Sequence, residues 1–465
     1  MDPNWRSNVI KLKSAGVSFL LVLSAGFLAF PSLAKVPADQ ANQLGGDKYT
    51  CTGAEKAGTP GGVAEYSGKW LDSWPGMKSK SGYDPGPYAD EKPLFTITAQ
   101  NMAKYADKLT DSQKGMFQHY PAEFRMNVYP SHRDFRVPEG VCKAAKTNAL
   151  NAELIDNGLG ATSVTRAQAF PFPQSGLEAL WNITLNNYGA MNEAIIYDSA
   201  DIYANGSTSW ARHRFRSIRL PFDLNAYGLP QGEWNTFAWD GLLAPPRDKD
   251  SLNVAQVPSN FAKNHNAVWQ YNPGTRRVRQ LPDVGFDYPE PPSGQRTVDE
   301  DYLFNGSPER YDWKLVGKRE IYVPYNNFKI NDPSLKYKDI LGAKTVNPEY
   351  QRYELHRVWV IEGNTKPGVR HIYKRRILYA DEDSWFALWS DIYDARGLLW
   401  RASWIDYHYS AECACYHRGV SIYQDLLSGN YEVAYLVNET GTWWKLNDPN
   451  NTLDLYGPKS AEHGH

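Results

Sequence analysis

The strongest pattern in the chain is a series of aromatic and β-branched runs between Tyr350 and Tyr409. Short turn segments at 363–368, 381–383 and 394–397 separate four such runs. Aromatic and β-branched residues pack well on a pleated surface, and short connections rich in Gly, Asn and Asp reverse the chain. The pattern therefore predicts an antiparallel meander of four strands.

Both faces of this predicted meander are apolar. Within residues 384–393, Trp385 and Trp389 share one parity, while Phe386 and Leu388 share the other. A half-exposed antiparallel sheet would be polar on one parity. We therefore expect both faces to be covered, and helices are the natural cover for one of them.

Two segments before residue 192 have helical patterns. Thr98 to Phe117 is expected to form one helix, and Pro171 to Ala190 another. In the second, Ser175 stands three residues before Glu178, which is the spacing of a capping box. Such a helix could cover one face of the sheet.

From residue 192 onward the pattern is dominated by ten or more strands at hairpin spacing, with further helix expected around 245–265. Antiparallel strands with segregated helices indicate an α+β fold. Residues 35–97 are rich in Gly and Pro and are expected to lie extended on the core. Residues 98–465 are expected to form a single domain.

The first 34 residues have the pattern of a secretory signal peptide. A basic start precedes the apolar run 15–30, and Ser32 to Ala34 forms a small-x-small site, so cleavage after Ala34 and a periplasmic location are expected. The alternative is an N-terminal membrane anchor. Cleavage would change the formal charge from −2 to −4, because the removed residues carry a net +2. That balance gives no reason to expect a nucleic-acid partner.

Catalytic and metal-binding signals are weak. The chain contains no GxSxG, GxxxxGK[ST], HExxH or GxGxxG motif, so no enzyme activity and no cofactor are predicted. The acidic triplets at 299–301 and 381–383 stand in turn-like contexts and are interpreted as solvated loop residues. A cluster of two thiols and two imidazoles could bind zinc, but in an oxidising compartment a disulfide within the cluster, or to Cys51 or Cys142, is favoured; the cluster comprises His408, Cys413, Cys415 and His417.

Basic residues alternate along several predicted strands, so each set points to one sheet face. They are interpreted as a solvated face or as edge protection; the sharper hypothesis is a rim that meets anionic headgroups or an acidic partner. The sets are Arg212, Arg214 and Arg216; Arg277 and Arg279; and Lys374 and Arg376.

Several motifs resemble a family of exported bacterial proteins of unknown function that are similar to outer-membrane lipoprotein-sorting proteins. The match extends over nearly the whole chain after residue 34. Among the segments that carry it are LGGD at 44–47, NVYPSHR at 127–133, YNPGTRRV at 271–278, LFNGSPERYDW at 303–313 and RYELHRVW at 352–359. The resemblance implies a fold like that of LolA and LolB, in which a strongly curved antiparallel half-barrel is closed by helices over an apolar cavity.

The resemblance also implies a function. It suggests a periplasmic carrier for a lipid or other hydrophobic molecule, working with an RND-type inner-membrane transporter and an outer-membrane protein. The alternatives are a structural adaptor without cargo and, with less support, an envelope hydrolase. The candidate cavity walls are the tryptophans Trp181, Trp359, Trp385, Trp389, Trp400 and Trp404.

Overall fold

The computed structural model of the protein describes residues 35–162, 164, 167–185, 192–219, 233–281, 284–291 and 293–463. These residues belong to one compact unit. The predicted signal peptide lies outside the described residues, so cleavage after Ala34 stays a prediction. In the part of the chain that is described, no helix is long and apolar enough to cross a membrane.

Strands dominate the described residues. They are β1 (Phe95–Ile97), β2 (Met126–Val128), β3 (Glu153–Ile155), β4 (Gly160–Thr162), β5 (Asn192–Ile202), β6 (Thr208–Arg219), β7 (Trp234–Ala244), β8 (Leu252–Pro258), β9 (Ala267–Asn272), β10 (Arg277–Leu281), β11 (Tyr311–Pro324), β12 (Tyr353–Thr365), β13 (Arg375–Asp381), β14 (Ala387–Tyr393), β15 (Leu399–Ser410), β16 (Cys415–Asp425), β17 (Tyr431–Leu436) and β18 (Lys445–Leu446).

Helices are short and mostly precede the long strands. The α-helices are α1 (Ala38–Asn42), α2 (Asp111–His119), α3 (Glu139–Asn151), α4 (Gly176–Thr184), α5 (Tyr337–Ile340) and α6 (Pro458–His463). Single 3-10 turns or short 3-10 helices lie at Met102–Lys108, Asp156–Gly158, Val298–Leu303, Lys329–Asn331, Pro348–Tyr350 and Leu453–Tyr456.

One large antiparallel sheet forms the core. Its long strands follow the order β11-β12-β13-β14-β15-β16-β17-β5-β6-β7-β8-β9-β10. The predicted meander of four strands is confirmed as β12 to β15, which pair in sequence order. Among the described residues, no pairing joins β10 to β11, so the sheet is not closed into a barrel.

The sheet is curved, because distant strands line the same space. One cavity is lined by Ala238 of β7 and by Ala387 of β14, which stand six strands apart in the sheet order. At a spacing of about 4.8 Å per strand, these strands would be roughly 29 Å apart in a flat sheet. We call the face toward this cavity the inner face and the opposite one the outer face.

The outer face is covered at both halves of the sheet. Over β14 and β15, α2 packs against the sheet, and the Trp389 indole donates to Ser112 Oγ over 2.7 Å. Over β7 and β8, the C-terminal residues 453–463 cover the apolar side chains of Phe237 and Trp239. The outer face is therefore covered, as expected for one face of the sheet. The inner face is the one that contains the cavity.

The helix α4 contacts strands that lie far apart in the sheet order. It packs against β11 and β12, and Trp181 and Leu185 share a hydrophobic cluster with Val257 of β8. Ser175 caps the helix by accepting from the Glu178 amide over 3.2 Å. The Glu178 carboxylate accepts from the Gln174 amide rather than that of Ser175, so the predicted capping box is only half formed.

Two helix predictions are wrong. The segment Thr98–Phe117 is not one helix: extended backbone at Leu109 separates a 3-10 helix from α2, and Thr110 starts α2 by accepting from the Gln113 amide. A polar capping side chain in mid-segment allows this restart. The helix expected around 245–265 is also absent from the described residues there, which contain β8 instead. The helix predicted over Pro171 to Ala190 is observed as α4, and its expected end lies outside the described residues.

Candidate ligand-binding site

Two adjoining cavities lie on the inner face, with volumes of about 120 Å³ and 150 Å³. We call them together the chamber. Both are lined by the floor residues Phe215, Ala238, Ala255 and Val257, and by Asp301 and Asn305 on the opposite side.

The chamber exists because small side chains stand side by side on neighbouring strands. Ser217 of β6 pairs with Ala238 of β7, and Ala238 pairs with Ala255 of β8. Directly opposed residues in an antiparallel sheet have their Cβ atoms about 5 Å apart. This row of small residues therefore forms a trough in the inner face.

The loop between β10 and β11 lies over this trough. We call residues 284–291 and 293–305 the cover segment. It folds back on itself, because the Val298 amide donates to the Tyr288 carbonyl and the Glu290 amide to the Arg296 carbonyl. Its side chains form the wall opposite the floor, and the chamber-lining ones include Tyr288, Glu290, Arg296, Val298, Asp301, Tyr302 and Phe304.

Buried ion pairs hold the cover segment on the sheet. Arg376 of β13 donates to Asp299 over 3.1 Å, and Arg418 of β16 donates to Asp301 over 2.7 Å. Arg296 within the segment donates to Glu432 of β17 over 3.1 Å. The Arg376 and Arg418 side chains are fully buried, so each charge depends on its partner for compensation.

These pairs determine the charge states of the carboxyl groups. Burial disfavours ionised Asp299, but Arg376 and His371 outweigh it and lower its pKa. Burial likewise disfavours ionised Asp301, yet Arg418 and Arg296 lower its pKa. Both groups are therefore anionic anchors at neutral pH.

Asp201 of β5 has the opposite shift. Burial, reinforced by the negative charge of Glu432, raises its pKa from 3.8 to about 7. Its Oδ1 accepts from Gln295 of the cover segment over 3.3 Å. An acid with a raised pKa binds its proton more tightly in the folded state, so this stabilisation is complete below pH 3.8 and is lost as the pH rises toward about 7.

We expect Asp201→Asn to abolish this dependence, because the amide mimics the protonated carboxyl group. Relative to the wild type, the variant should gain stability progressively between about pH 4 and pH 7, by on the order of 1–4 kcal/mol at the upper end. Urea unfolding at several pH values measures the gap. Asp312→Asn, at an exposed position of β11, is the control; a constant gap for Asp201→Asn would contradict the assignment.

One basic group lies at the edge of the chamber. Arg219 of β6 lines the smaller cavity, and its guanidinium lies 4.3 Å from the ring centroid of Tyr302. The nearby ring and the Glu193 carboxyl group raise its pKa in spite of burial. The apolar floor thus ends at a half-buried cation.

The six tryptophans predicted as cavity walls do not line these two cavities. Trp389 and Trp404 stack on each other with centroids 4.7 Å apart on the outer face, where Trp404 donates to Gln351. Trp385 stacks on Trp359 and donates to the Thr52 carbonyl of the N-terminal segment.

The other two tryptophans lie at separate places. Trp400 is half-buried and donates to Asp425 over 2.9 Å. Trp181 of α4 is buried, donates to the Gly158 carbonyl and belongs to the same hydrophobic cluster as Val257. It therefore packs near the chamber floor without lining the chamber. A direct contact of any of the six with a guest stays a prediction.

The interpretation of the acidic triplets as solvated loops is wrong. Asp299, Glu300, Asp381 and Glu382 are all buried. In the second triplet, Arg133 donates to both oxygens of Asp383 over 2.6 Å and 2.8 Å. Asp299, Glu300, Glu382 and Asp383 pair with arginines from distant parts of the sequence, and no local pattern reports such pairing.

The cysteines form two disulfides, Cys51–Cys142 and Cys413–Cys415. The second lies within the predicted cluster, so its thiols are not zinc ligands in this structure. His408 and His417 are buried, and burial lowers the pKa of both imidazoles, that of His417 to about 4. They are therefore neutral side chains in the core.

One group of side chains could hold a metal ion. Potential ligand atoms of His356, Asp381 and Asp383 lie within 4.8 Å of one another. However, both carboxylate oxygens of Asp383 already accept from Arg133, so a cation would have to displace that guanidinium. The arrangement fits an ion-pair network better than a metal centre.

Comparison with known proteins gives the family. The model of a protein family of unknown function, DUF1329, matches residues 96–461. The chain belongs to the DUF1329 family. It is 39% identical over 424 residues to the uncharacterized protein PA3922 from Pseudomonas aeruginosa, covering 90% of this chain and 92% of that protein. The predicted resemblance to a family of unknown function is thereby confirmed.

Three solved structures are similar to this DUF1329 chain at low sequence identity. A putative outer-membrane lipoprotein-sorting protein domain from Vibrio parahaemolyticus is 12% identical and has a TM-score of 0.40, over 59% of this chain and 92% of that one. A DUF1329 protein from Desulfovibrio piger is 11% identical and has a TM-score of 0.39, over 57% and 89%. A LolA-superfamily protein from Nitrosomonas europaea is 10% identical and has a TM-score of 0.34, over 61% and 96%.

Proposed function

We propose that this protein binds a lipid or other hydrophobic molecule in the chamber and carries it between the membranes of the cell envelope. The observation that carries the proposal is the trough of small residues Ser217, Ala238 and Ala255, which leaves space beneath a cover held by ion pairs. Removing apolar surface from water is worth about 25 cal/mol per Å². A guest that buries roughly 200 Å² of apolar surface in the trough would thus gain about 5 kcal/mol.

The chamber favours a slender amphipathic guest. Each cavity is smaller than the roughly 300 Å³ at which small-molecule sites commonly begin, so a single acyl chain fits better than a compact ring system. Its apolar part would lie along Ala238, Ala255 and Val257. An acidic or strongly polar head would meet the guanidinium of Arg219, because a half-buried cation is stabilised by an anionic partner.

Entry and release require the cover to move. The cover segment is joined to the sheet by charged and polar contacts and, near its C-terminal end, by the buried Leu303 and Phe304. The helix α4 reaches from β11 and β12 to the cluster around Val257. We assign closure of the half-open sheet to these two elements. A periplasmic location, an RND-type transporter and an outer-membrane protein as partners complete the proposal, and no catalytic step is part of it.

Solvent extraction of the protein purified after export, followed by mass spectrometry, tests the function. We expect amphiphiles with a single acyl chain at a fraction of a molecule per protein, with acidic ones enriched over the bulk lipids of the host. Protein that contains no lipid and takes none up from added micelles would contradict the carrier function. That result would favour the adaptor without cargo.

A further inference from the structure

The two ends of the large sheet differ in how they meet solvent. Because β12 to β17 and β5 to β6 are joined as antiparallel hairpins, the turns at 366–374, 394–398, 426–430 and 203–207 all lie at one end. Contacts between neighbours confirm this: the Lys374 amide donates to the Tyr393 carbonyl, and the Ala204 amide donates to Asn430. We call this end the tip edge.

Two turns at the opposite end are covered. The turn between β13 and β14 is buried, with Glu382 and Trp385 at 1% and 0% exposure. The Trp385 indole donates to the Thr52 carbonyl, so the N-terminal segment provides part of the cover. Ala411, between β15 and β16, lies in a cluster with Trp74 and Phe135. At the tip edge, by contrast, all four turns contain exposed residues.

Large apolar side chains stand at the tips of three adjacent hairpins. Leu398 and Leu427 are 50% and 51% exposed, and Val369 and Ile372 are also exposed. Exposed turns are normally polar, and apolar side chains gathered on one surface indicate an interaction site.

The same tips are positively charged. Arg370, Lys374 and Arg396 are exposed and Lys366 is half-buried. The two neighbouring acids are engaged within their turns: Asp394 accepts from the Leu398 amide, and Asp425 accepts from the Leu427 amide. Asp394 also pairs with Arg396 over 2.8 Å, so the outward positive charge of the tips comes from Lys366, Arg370 and Lys374.

We propose that the tip edge docks on the surface of a membrane that contains anionic lipid. Apolar side chains flanked by lysine and arginine match such an interface, because the apolar groups enter the headgroup region and the cations attract the negative surface. The inference rests on the proposed function, since it supplies the place where a guest would enter or leave.

The tip edge is also connected to the cover. The Ile372 amide donates to Asp287 over 3.2 Å, and Arg310, which is paired with Asp287, donates to the Arg370 carbonyl. Asp287 directly precedes Tyr288, which lines the chamber. Displacing the 366–374 turn on docking would therefore pull on the cover segment.

Vesicle flotation tests the docking with the protein purified after export. We expect binding to phosphatidylcholine vesicles that contain roughly one third phosphatidylglycerol, and little binding to phosphatidylcholine alone. Raising the salt concentration from about 0.1 M to about 0.5 M should weaken binding. The double variant Leu398→Ser and Leu427→Ser should bind at least about tenfold more weakly. The matched control is Leu94→Ser with Val316→Ser, at positions 64% and 49% exposed elsewhere.

Two further readouts separate this inference from the function on which it rests. The tip variant should keep its guest affinity, and Ala238→Leu with Ala255→Leu should keep vesicle binding. Wild-type protein that does not bind anionic vesicles would overturn the docking alone. A tip variant that binds them as well as the wild type does would have the same consequence. The docking would also be overturned if the wild type were a dimer and the tip variant differed from it only in being a monomer. The tip edge would then bind a second copy of the chain.

Discussion

Replacing Ala238 and Ala255 together by leucine is expected to reduce binding of a fluorescent fatty acid at least about tenfold, which corresponds to about 1.4 kcal/mol. The two side chains are directly opposed on β7 and β8 and line both cavities. The added methylene and methyl groups would occupy the space in which we place the guest. Equilibrium titration measures the affinity.

Stability distinguishes filling of the chamber from damage to the fold. Overpacking a dense core costs about 1–3 kcal/mol, but the added groups here have the chamber to enter. Urea unfolding should therefore show a smaller loss than in a packed core, or none. Ala122→Leu with Ala262→Leu, both exposed, is the matched control and should change neither quantity. Unchanged affinity in the chamber variant would place the guest elsewhere.

The second large effect is expected for Arg376→Met. It removes the guanidinium that donates to Asp299 and leaves a buried carboxylate whose remaining side-chain hydrogen bonds include those with Thr297 and His371. Breaking a buried pair from one side costs about 3–5 kcal/mol. Because Asp299 anchors the cover segment, we also expect faster proteolysis within residues 284–305.

Two controls accompany this variant. Lys143→Met breaks the solvent-exposed pair with Glu139 on α3 and should change neither stability nor proteolysis measurably, because exposed pairs contribute little. Adding Asp299→Leu to Arg376→Met removes the orphaned charge and should recover part of the lost stability. A loss of stability without faster cleavage of the cover segment would show that the pair supports the sheet alone.

The meander of β12 to β15 was predictable because its signals are local. Runs of aromatic and β-branched residues, and the Gly- or Asp-rich turns between them, are patterns of a few neighbouring positions. Each strand could therefore be recognised by itself. The same reasoning explains the error at Thr98–Phe117, where one periodicity continues across Thr110. The competing cap at that residue ends one helical segment and starts the next.

The chamber could not be predicted in this way, because its floor depends on register between strands. Ser217, Ala238 and Ala255 are unremarkable in their own segments and form a trough only when β6, β7 and β8 pair. The tryptophans attracted attention through their size. The alternation of side chains along a strand shows which residues share a sheet face with Trp389 and Trp404. Whether that face is the inner or the outer one is determined by the packing of α2.

The acidic triplets show the same limit for charge. Asp299 and Asp301 stand in a turn-like sequence. The arginines that donate to them come from β13 and β16, 77 and 117 residues away. Arg376 of β13 has the same parity as Lys374, which stands just before the strand, yet the Arg376 side chain is fully buried while Lys374 is exposed. The prediction that such sets form solvated faces is therefore wrong for Arg376.

Photo-crosslinking with a fatty acid that carries a diazirine in its chain tests the central claim most directly, because it locates the guest. Peptide mapping is predicted to place the crosslinks in β6 to β8 and in the cover segment, and to lose them in the Ala238→Leu and Ala255→Leu variant. Crosslinks confined to the outer face, around α2, Trp389 and Trp404, would contradict the assignment of the chamber as the binding site.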